Sequence, residues 1–158
     1  MERFLLIARK GDSQSECVLY GGRTAIFMVP PTVLLEQLCL QNGSSLEGRI
    51  TAFRSLANVC QKPAVLISER SQILYFPTLG MENRECVWVC YNEILKIRSV
   101  GADRTEILFT DGSRQLLDVN YRIIRNQRLR CADFLQKLNQ CGKTGLETDA
   151  CNGIMKQA

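Results

Sequence analysis

The chain has 158 residues, 46% of them hydrophobic and 23% charged, which is typical of one ordinary globular domain rather than a fibrous or low-complexity chain. Its net charge of +4 is mildly basic and does not by itself indicate a nucleic-acid partner. The sequence contains no histidine, which excludes every catalytic mechanism and every metal site that requires an imidazole.

Nine short apolar runs, most of them separated by turn residues, have the length of β-strands. They cover residues 4–8, 17–20, 24–29, 64–67, 73–76, 86–91, 94–100, 105–109 and 115–119. Gly21-Gly22 and Asp111-Gly112 are typical of two-residue hairpin turns, and the polar residues 68–71 predict a third hairpin. Because these connectors are too short for crossovers, we expect antiparallel pairing of neighbouring strands.

Two segments are predicted to be helices. The first begins at Pro31 and ends at Asn42-Gly43. The second runs from about Tyr121 to Gln140 and closes at Gly142, and its apolar residues fall on one broad arc. The arc contains Ile123, Ile124, Cys131, Phe134, Leu135 and Leu138.

These elements predict an α+β fold, a mostly antiparallel β-sheet with a short early helix and a C-terminal helix packed on it. Residues 1–142 are expected to form a single domain and residues 143–158 a loose C-terminal tail. No internal repeat is visible in the sequence.

The positive charge is concentrated in the late helix. Residues 119–138 contain five basic groups and one acid, Asp133, so this segment alone carries a net charge of +4. The basic residues, which lie outside the apolar arc together with Leu129, are Arg122, Arg125, Arg128, Arg130 and Lys137. Such a face can neutralise phosphates, although most charge runs are simply solvated helix faces. The predominance of arginine favours a narrow, A/T-rich minor groove.

The motifs of common enzymes are absent. The chain has no G-x-G-x-x-G, P-loop or G-x-S-x-G sequence. Its eight cysteines include no C-x-x-C pair, so reduced and mostly buried thiols are a better interpretation than a zinc site or a disulfide framework. A cysteine nucleophile would lack an evident base. We therefore predict no catalytic residue, no metal and no cofactor.

Several short blocks follow one another in a specific order. They are Gly43–Ser45 with Gly48 and Arg49, Lys62-Pro63, Q-I-x-x-F-P-T-L at 72–79, Cys86 with Trp88, T-E-x-x-F-x-x-G at 105–112, and Tyr121 with Asn126-Gln127, Arg130, Ala132 and Lys137. In register from about residue 31 to residue 138, these blocks resemble the competence transcription factor (ComK) family of Gram-positive bacteria. The resemblance covers about two-thirds of the chain.

The resemblance implies a cytoplasmic, DNA-binding transcriptional activator of DNA-uptake (competence) genes. It implies binding to the minor groove of A/T-rich double-stranded DNA, as a homo-oligomer and in contact with the transcription machinery, without a membrane partner. The candidate DNA-binding residues are Arg49, Arg122, Arg125, Arg128, Arg130 and Lys137. Arg130 and Lys137 match family positions, whereas Arg122, Arg125 and Arg128 depend on local charge alone.

Other residues of these blocks have two interpretations. Arg49, in a Gly-flanked stretch expected to be a loop, is either a phosphate contact or a surface arginine beside a turn. Trp88 is either a core residue or an intercalating one. Phe76-Pro77-Thr78 either ends a strand or forms an apolar wedge at a base step. Asn126-Gln127 either contacts bases or fixes the helix to a neighbouring strand.

The chain departs from the family pattern at both ends. Its N-terminal part is shorter, and only about twenty residues follow the matching region, where family members have a C-terminal extension important for activation. The alternative is therefore a divergent paralogue that acts as a non-enzymatic protein-interaction module without activator function.

Overall fold

The computed structural model of the chain describes residues 3–144. Nine strands and three α-helices are present in this part of the chain. The strands are β1 (Phe4–Lys10), β2 (Gln14–Leu19), β3 (Thr24–Phe27), β4 (Val65–Ser68), β5 (Ile73–Pro77), β6 (Val87–Cys90), β7 (Ile94–Ser99), β8 (Thr105–Phe109) and β9 (Arg114–Leu117). The helices are α1 (Pro31–Gln41), α2 (Leu46–Ala57) and α3 (Tyr121–Thr144), and a short 3₁₀ turn occupies Tyr91–Glu93.

The strands form two antiparallel sheets. The larger sheet has the order β3-β2-β1-β6-β5-β4, and the smaller sheet has the order β7-β8-β9. All nine predicted strands are present, and the predicted α+β class is confirmed. The expected hairpin turns have glycine where φ is positive, at 98° for Gly21, 87° for Gly22 and 86° for Gly112.

α2 was not predicted from the sequence, and it begins where a loop was expected. Ser45 caps this helix because its side chain accepts a hydrogen bond from Gly48 N at 3.0 Å. Gly48 and Thr51 are weak helix formers, and only Ile50 and Phe53 are buried, so the helical pattern is faint. The packing of those two side chains stabilises a helix that local propensity does not predict.

The late helix is longer than expected. α3 continues through Gly142 to Thr144, so Gly142 does not close it and the expected boundary at residue 142 lies inside the helix. The remainder of the expected tail, residues 145–158, lies outside the described residues.

The first and last parts of the described chain are two copies of one unit, three antiparallel strands followed by a helix. β1–β3 with α1 form the first copy, and β7–β9 with α3 form the second, with equivalent residues 90 positions apart. Phe4 pairs with Leu19 in the first copy and Ile94 pairs with Phe109 in the second, and a register shift follows each pair. The fold therefore contains an internal repeat, although none is visible in the sequence.

Hydrogen bonds outside the sheet ladders repeat with the same offset. The Ser15 hydroxyl donates to the carbonyl oxygen of Val29 at 2.7 Å, and the Thr105 hydroxyl donates to that of Val119 at 2.8 Å. Each bond ties the second strand of its copy to the segment that leads into the helix. The two copies therefore share connection geometry as well as element order.

The repeat is hidden because the two copies have diverged in sequence. Of the 38 aligned positions in residues 4–41 and 94–131, only seven are identical. Those retained include the turn glycines Gly22 and Gly112, whose φ angles differ by one degree. Backbone geometry is preserved where a positive φ requires glycine, while most side chains have changed.

Two apolar cores lie on opposite faces of the larger sheet. One core packs α1 against side chains such as Ile7 and Trp88. The other packs α3 and the smaller sheet against Phe76 and its neighbours. α2 contributes to both, and its Phe53 ring lies 4.7 Å from the ring of Phe134 in α3. This packing buries one side of α3 and leaves the other open.

Candidate nucleic-acid interface

α3 starts at a side-chain cap. Asn120 Oδ1 accepts a hydrogen bond from the backbone N of Arg122 at 2.8 Å, which satisfies one of the free N–H groups at the helix start. Ile124, Cys131 and Phe134 are buried on one side, as the apolar arc predicted. The cap and this buried stripe fix which way the basic residues point.

Arg122 and Arg125 lie on the exposed side of α3. Neither guanidinium forms an ion pair or a hydrogen bond with another of the residues between 3 and 144. Leu129 lies on the same side and is 57% exposed, in agreement with its predicted position outside the apolar arc. Two unpaired cations and one leucine therefore form the centre of this face.

Arg128 and Arg130 lie at the two edges of the exposed side and are half-buried. The Arg128 charge acts on the Tyr91 phenol: burial raises the pKa of Tyr91, and the Arg128 charge opposes this shift. Arg130 Nη1 donates to the carbonyl oxygen of Gln61 at 3.1 Å and to Gln127 Oε1 at 3.3 Å. Arg130 is therefore held in place by neutral acceptors rather than by a carboxylate.

Lys137 and Arg49 are paired with carboxylates within the chain. Lys137 Nζ lies 3.0 Å from Asp133 Oδ2, one helical turn earlier, and both side chains are about half exposed. Arg49 lies on α2 rather than in a loop, and its Nη1 lies 3.0 Å from Glu69 Oε1. The Arg49 side chain is only 10% exposed. The structure thus brings together the four arginines of α3 and sets Arg49 apart from them.

A polar hollow of about 130 Å³ adjoins α3 on the Arg130 side. It lies between the helix and the segment before β4, and it is lined by Gln61, Lys62, Ile123, Asn126, Gln127 and Arg130. Lys62 was not among the predicted site residues, although Lys62-Pro63 belongs to the family pattern. Its position next to Arg130 depends on tertiary packing, so charge counting along the helix alone does not find it.

Burial decides between the two interpretations for Gln127, Trp88 and Phe76 but leaves Asn126 exposed. Gln127 is 3% exposed, and its Nε2 donates to the carbonyl oxygens of Pro77 at 2.8 Å and Lys62 at 3.0 Å. It therefore fixes α3 to its neighbours instead of facing outward. Trp88 and Phe76 are fully buried in the two cores. Trp88 is therefore not placed to intercalate between bases, and Phe76 is not placed to form a wedge at a base step.

The buried thiols are poor nucleophiles. Five of the seven described cysteines are buried, as predicted. Burial raises the pKa of Cys17 to about 12 and the pKa values of Cys39 and Cys90 to about 11, which suppresses the reactive thiolate. Among residues 3–144, no three His, Cys, Asp or Glu side chains are grouped so that they could hold a metal ion. In the same range no helix has both the length and the apolar character needed to cross a bilayer.

Comparison with known proteins adds the family context. The sequence model described as ComK protein matches residues 4–143, which extends the similarity to β1–β3. The competence transcription factor of Bacillus subtilis (strain 168) is 26% identical to this chain over 119 residues. The aligned part is 75% of this chain and 59% of that relative, so the chain spans about three-fifths of the relative's length. No solved structure matches the chain significantly.

Proposed function

The chain belongs to the ComK family, and from this we propose that it is a DNA-binding transcriptional regulator of competence genes that acts in the cytoplasm. The observation that carries the proposal is the exposed side of α3, where Arg122 and Arg125 are unpaired within residues 3–144. Arg128 and Arg130 flank them. We call these four residues the α3 arginines.

The α3 arginines suit a polyanion. A guanidinium that has no carboxylate partner is available to neutralise a phosphate, and this neutralisation releases counterions from the DNA and supplies a large share of the affinity for a duplex. With a rise of 1.5 Å per residue, the stretch from Arg122 to Lys137 is about 22 Å long. Lys137 adds a phosphate contact at the C-terminal end of this stretch once its ion pair with Asp133 is broken. Arg49 contacts DNA only after it leaves Glu69.

We assign the A/T-rich minor groove as the binding site. This groove is narrow and strongly negative, and guanidinium groups enter it more readily than ammonium groups do. The hollow beside Arg130 brings Lys62 and the Asn126 amide close to the same helix, so it offers a position for one further phosphate. We further propose that the chain binds DNA as a homo-oligomer and that it contacts the transcription machinery.

A salt titration tests the proposal. Binding of the whole chain to A/T-rich and G/C-rich duplexes of equal length is followed by fluorescence anisotropy between 50 and 200 mM salt. Neutralising several phosphates makes affinity fall by roughly a hundredfold or more over this range, and the A/T-rich duplex is expected to bind more tightly throughout. Equal affinity for both duplexes would refute the groove assignment, and affinity independent of salt would refute the phosphate contacts.

The second candidate function is that of a divergent paralogue acting as a protein-interaction module without activator function. Leu129 favours it, because a 57% exposed leucine in the middle of the α3 face suits an apolar partner as well as a groove. The two functions separate in a gel shift at low salt. No shift with any duplex at micromolar protein supports the interaction module, whereas a shift supports the regulator.

A further inference from the structure

The smaller sheet has one covered face and one open face. Its covered face contributes Ile107, Phe109 and Leu117 to the core that α3 completes. Because side chains alternate along a strand, the opposite face points away from α3. We call it the outer face, and it is formed by Lys96, Arg98, Glu106, Leu108 and Arg114, which line one hollow.

Two arginines share one carboxylate on the outer face. Arg98 Nη2 lies 3.1 Å and Arg114 Nη1 lies 3.0 Å from the same oxygen, Oε1 of Glu106. Both arginine side chains are 61% exposed, whereas Glu106 is 21% exposed. A guanidinium has five N–H donors, so most donors of both groups remain available. With Lys96, the face has a net charge of +2 and two oriented guanidinium groups on strands at opposite edges of the sheet.

The first copy of the unit has no cation at the equivalent positions. The residues equivalent to Lys96, Arg98 and Arg114 are uncharged in the first copy, whereas the acid at Glu106 is retained. Leu6, Ala8 and Thr24 stand at the positions of Lys96, Arg98 and Arg114. Glu16 stands at the position of Glu106. Leu6 is buried in the core that α3 completes, so the first copy covers part of the face that the second copy leaves open and basic.

The contrast extends over the whole unit. Residues 4–41 contain three basic and three acidic side chains and have no net charge. Residues 94–131 contain eight basic and four acidic side chains, a net charge of +4. The positive charge thus belongs to the second copy, on the outer face and on α3 alike. Exposed cations concentrated on the open surfaces of the second copy suit a polyanionic ligand.

We propose that the outer face is a second binding surface for the phosphate backbone of duplex DNA, distinct from the α3 arginines. The proposal depends on the proposed function, because it gives the same DNA a further contact. α3 packs beneath the covered face of the sheet, so the two surfaces lie on different sides of the second copy. Phosphate contacts of this kind position a duplex without reading its sequence.

The test compares three double variants of the whole chain that each lose two positive charges. The outer-face variant is Lys96→Gln with Arg114→Gln, which leaves the Arg98–Glu106 pair intact. The α3 variant is Arg122→Gln with Arg125→Gln. The control variant is Lys10→Gln with Arg70→Gln, both exposed and outside the two surfaces. The readout is the slope of log affinity against log salt concentration for one duplex.

Each lost phosphate contact lowers this slope by about 0.9. The outer-face variant is therefore expected to lose between one and two units of slope on both A/T-rich and G/C-rich duplexes, whereas the control variant retains the slope of the parent chain. An outer-face variant that matches the control, while the α3 variant loses slope, overturns the second surface and leaves the proposed function intact. A parent chain with no salt-dependent binding overturns the proposed function, and the second surface with it.

Folding of the outer-face variant is checked by its thermal unfolding midpoint. If the double variant does not fold, Arg114→Gln alone is compared with Arg70→Gln alone, and a loss of about one unit of slope is then expected for the former only. Equal slopes for these single variants contradict the proposal.

Discussion

Replacing Gln127 with leucine tests whether this residue anchors the proposed DNA-binding helix. The Gln127 amide is 3% exposed and donates to the carbonyl oxygens of Pro77 and Lys62. Leucine removes both bonds and leaves the Pro77 acceptor buried. A net hydrogen bond contributes about 1 kcal/mol, and a buried unsatisfied group costs about 1–3 kcal/mol. We therefore expect Gln127→Leu to lower the free energy of unfolding by about 2–3 kcal/mol.

The internal repeat supplies the control for this measurement. Gln37 occupies the equivalent position on α1 and is exposed, so Gln37→Leu makes the same chemical change without losing a buried bond. Its effect should stay within about 0.5 kcal/mol. Urea unfolding of both variants, followed by the fluorescence of the single tryptophan, measures the difference. Equal stabilities of the two variants would refute the assignment of Gln127 as an anchor.

Three further predictions concern the core and the thiols. Phe53→Ala is expected to cost about 3–5 kcal/mol in urea unfolding because Phe53 packs on Phe134; a cost below 1 kcal/mol contradicts the two-core packing. Burial raises the pKa values of Cys39 and Cys90 to about 11, so stability should be constant below the unfolded thiol pKa and fall as pH rises from about 9 to 11; an unchanged urea midpoint at pH 10 contradicts this. In thiol labelling of the folded chain at pH 7.5, exposed Cys60 should react much faster than Cys17, and equal rates oppose the buried assignment.

The strands were predictable because their signals are local. Each apolar run has strand length, and turn residues such as Gly22 and Gly112 mark the hairpins directly. The orientation of α3 followed from its apolar arc for the same reason, because periodicity within one helix identifies the buried side.

The elements that depend on tertiary packing were not predictable. α2 has a weak helical pattern, and it is stabilised by Ile50 and Phe53, which pack into different cores. The pairing of Arg49 with Glu69 requires α2 to lie beside the β4–β5 turn. The repeat was not predictable because backbone geometry is retained while most side chains have changed, so it is visible in strand register and in equivalent hydrogen bonds such as those of Ser15 and Thr105.

Chemical modification of arginine tests the central claim most directly. The chain is treated with an arginine-specific dicarbonyl reagent with and without an A/T-rich duplex, and the modification rate of each arginine is read by mass spectrometry. We predict that the duplex slows modification of Arg122 and Arg125 several-fold, whereas exposed Arg70 reacts at the same rate in both samples. Unchanged rates at Arg122 and Arg125 in the DNA-bound chain would contradict the assignment of α3 as a DNA-binding helix.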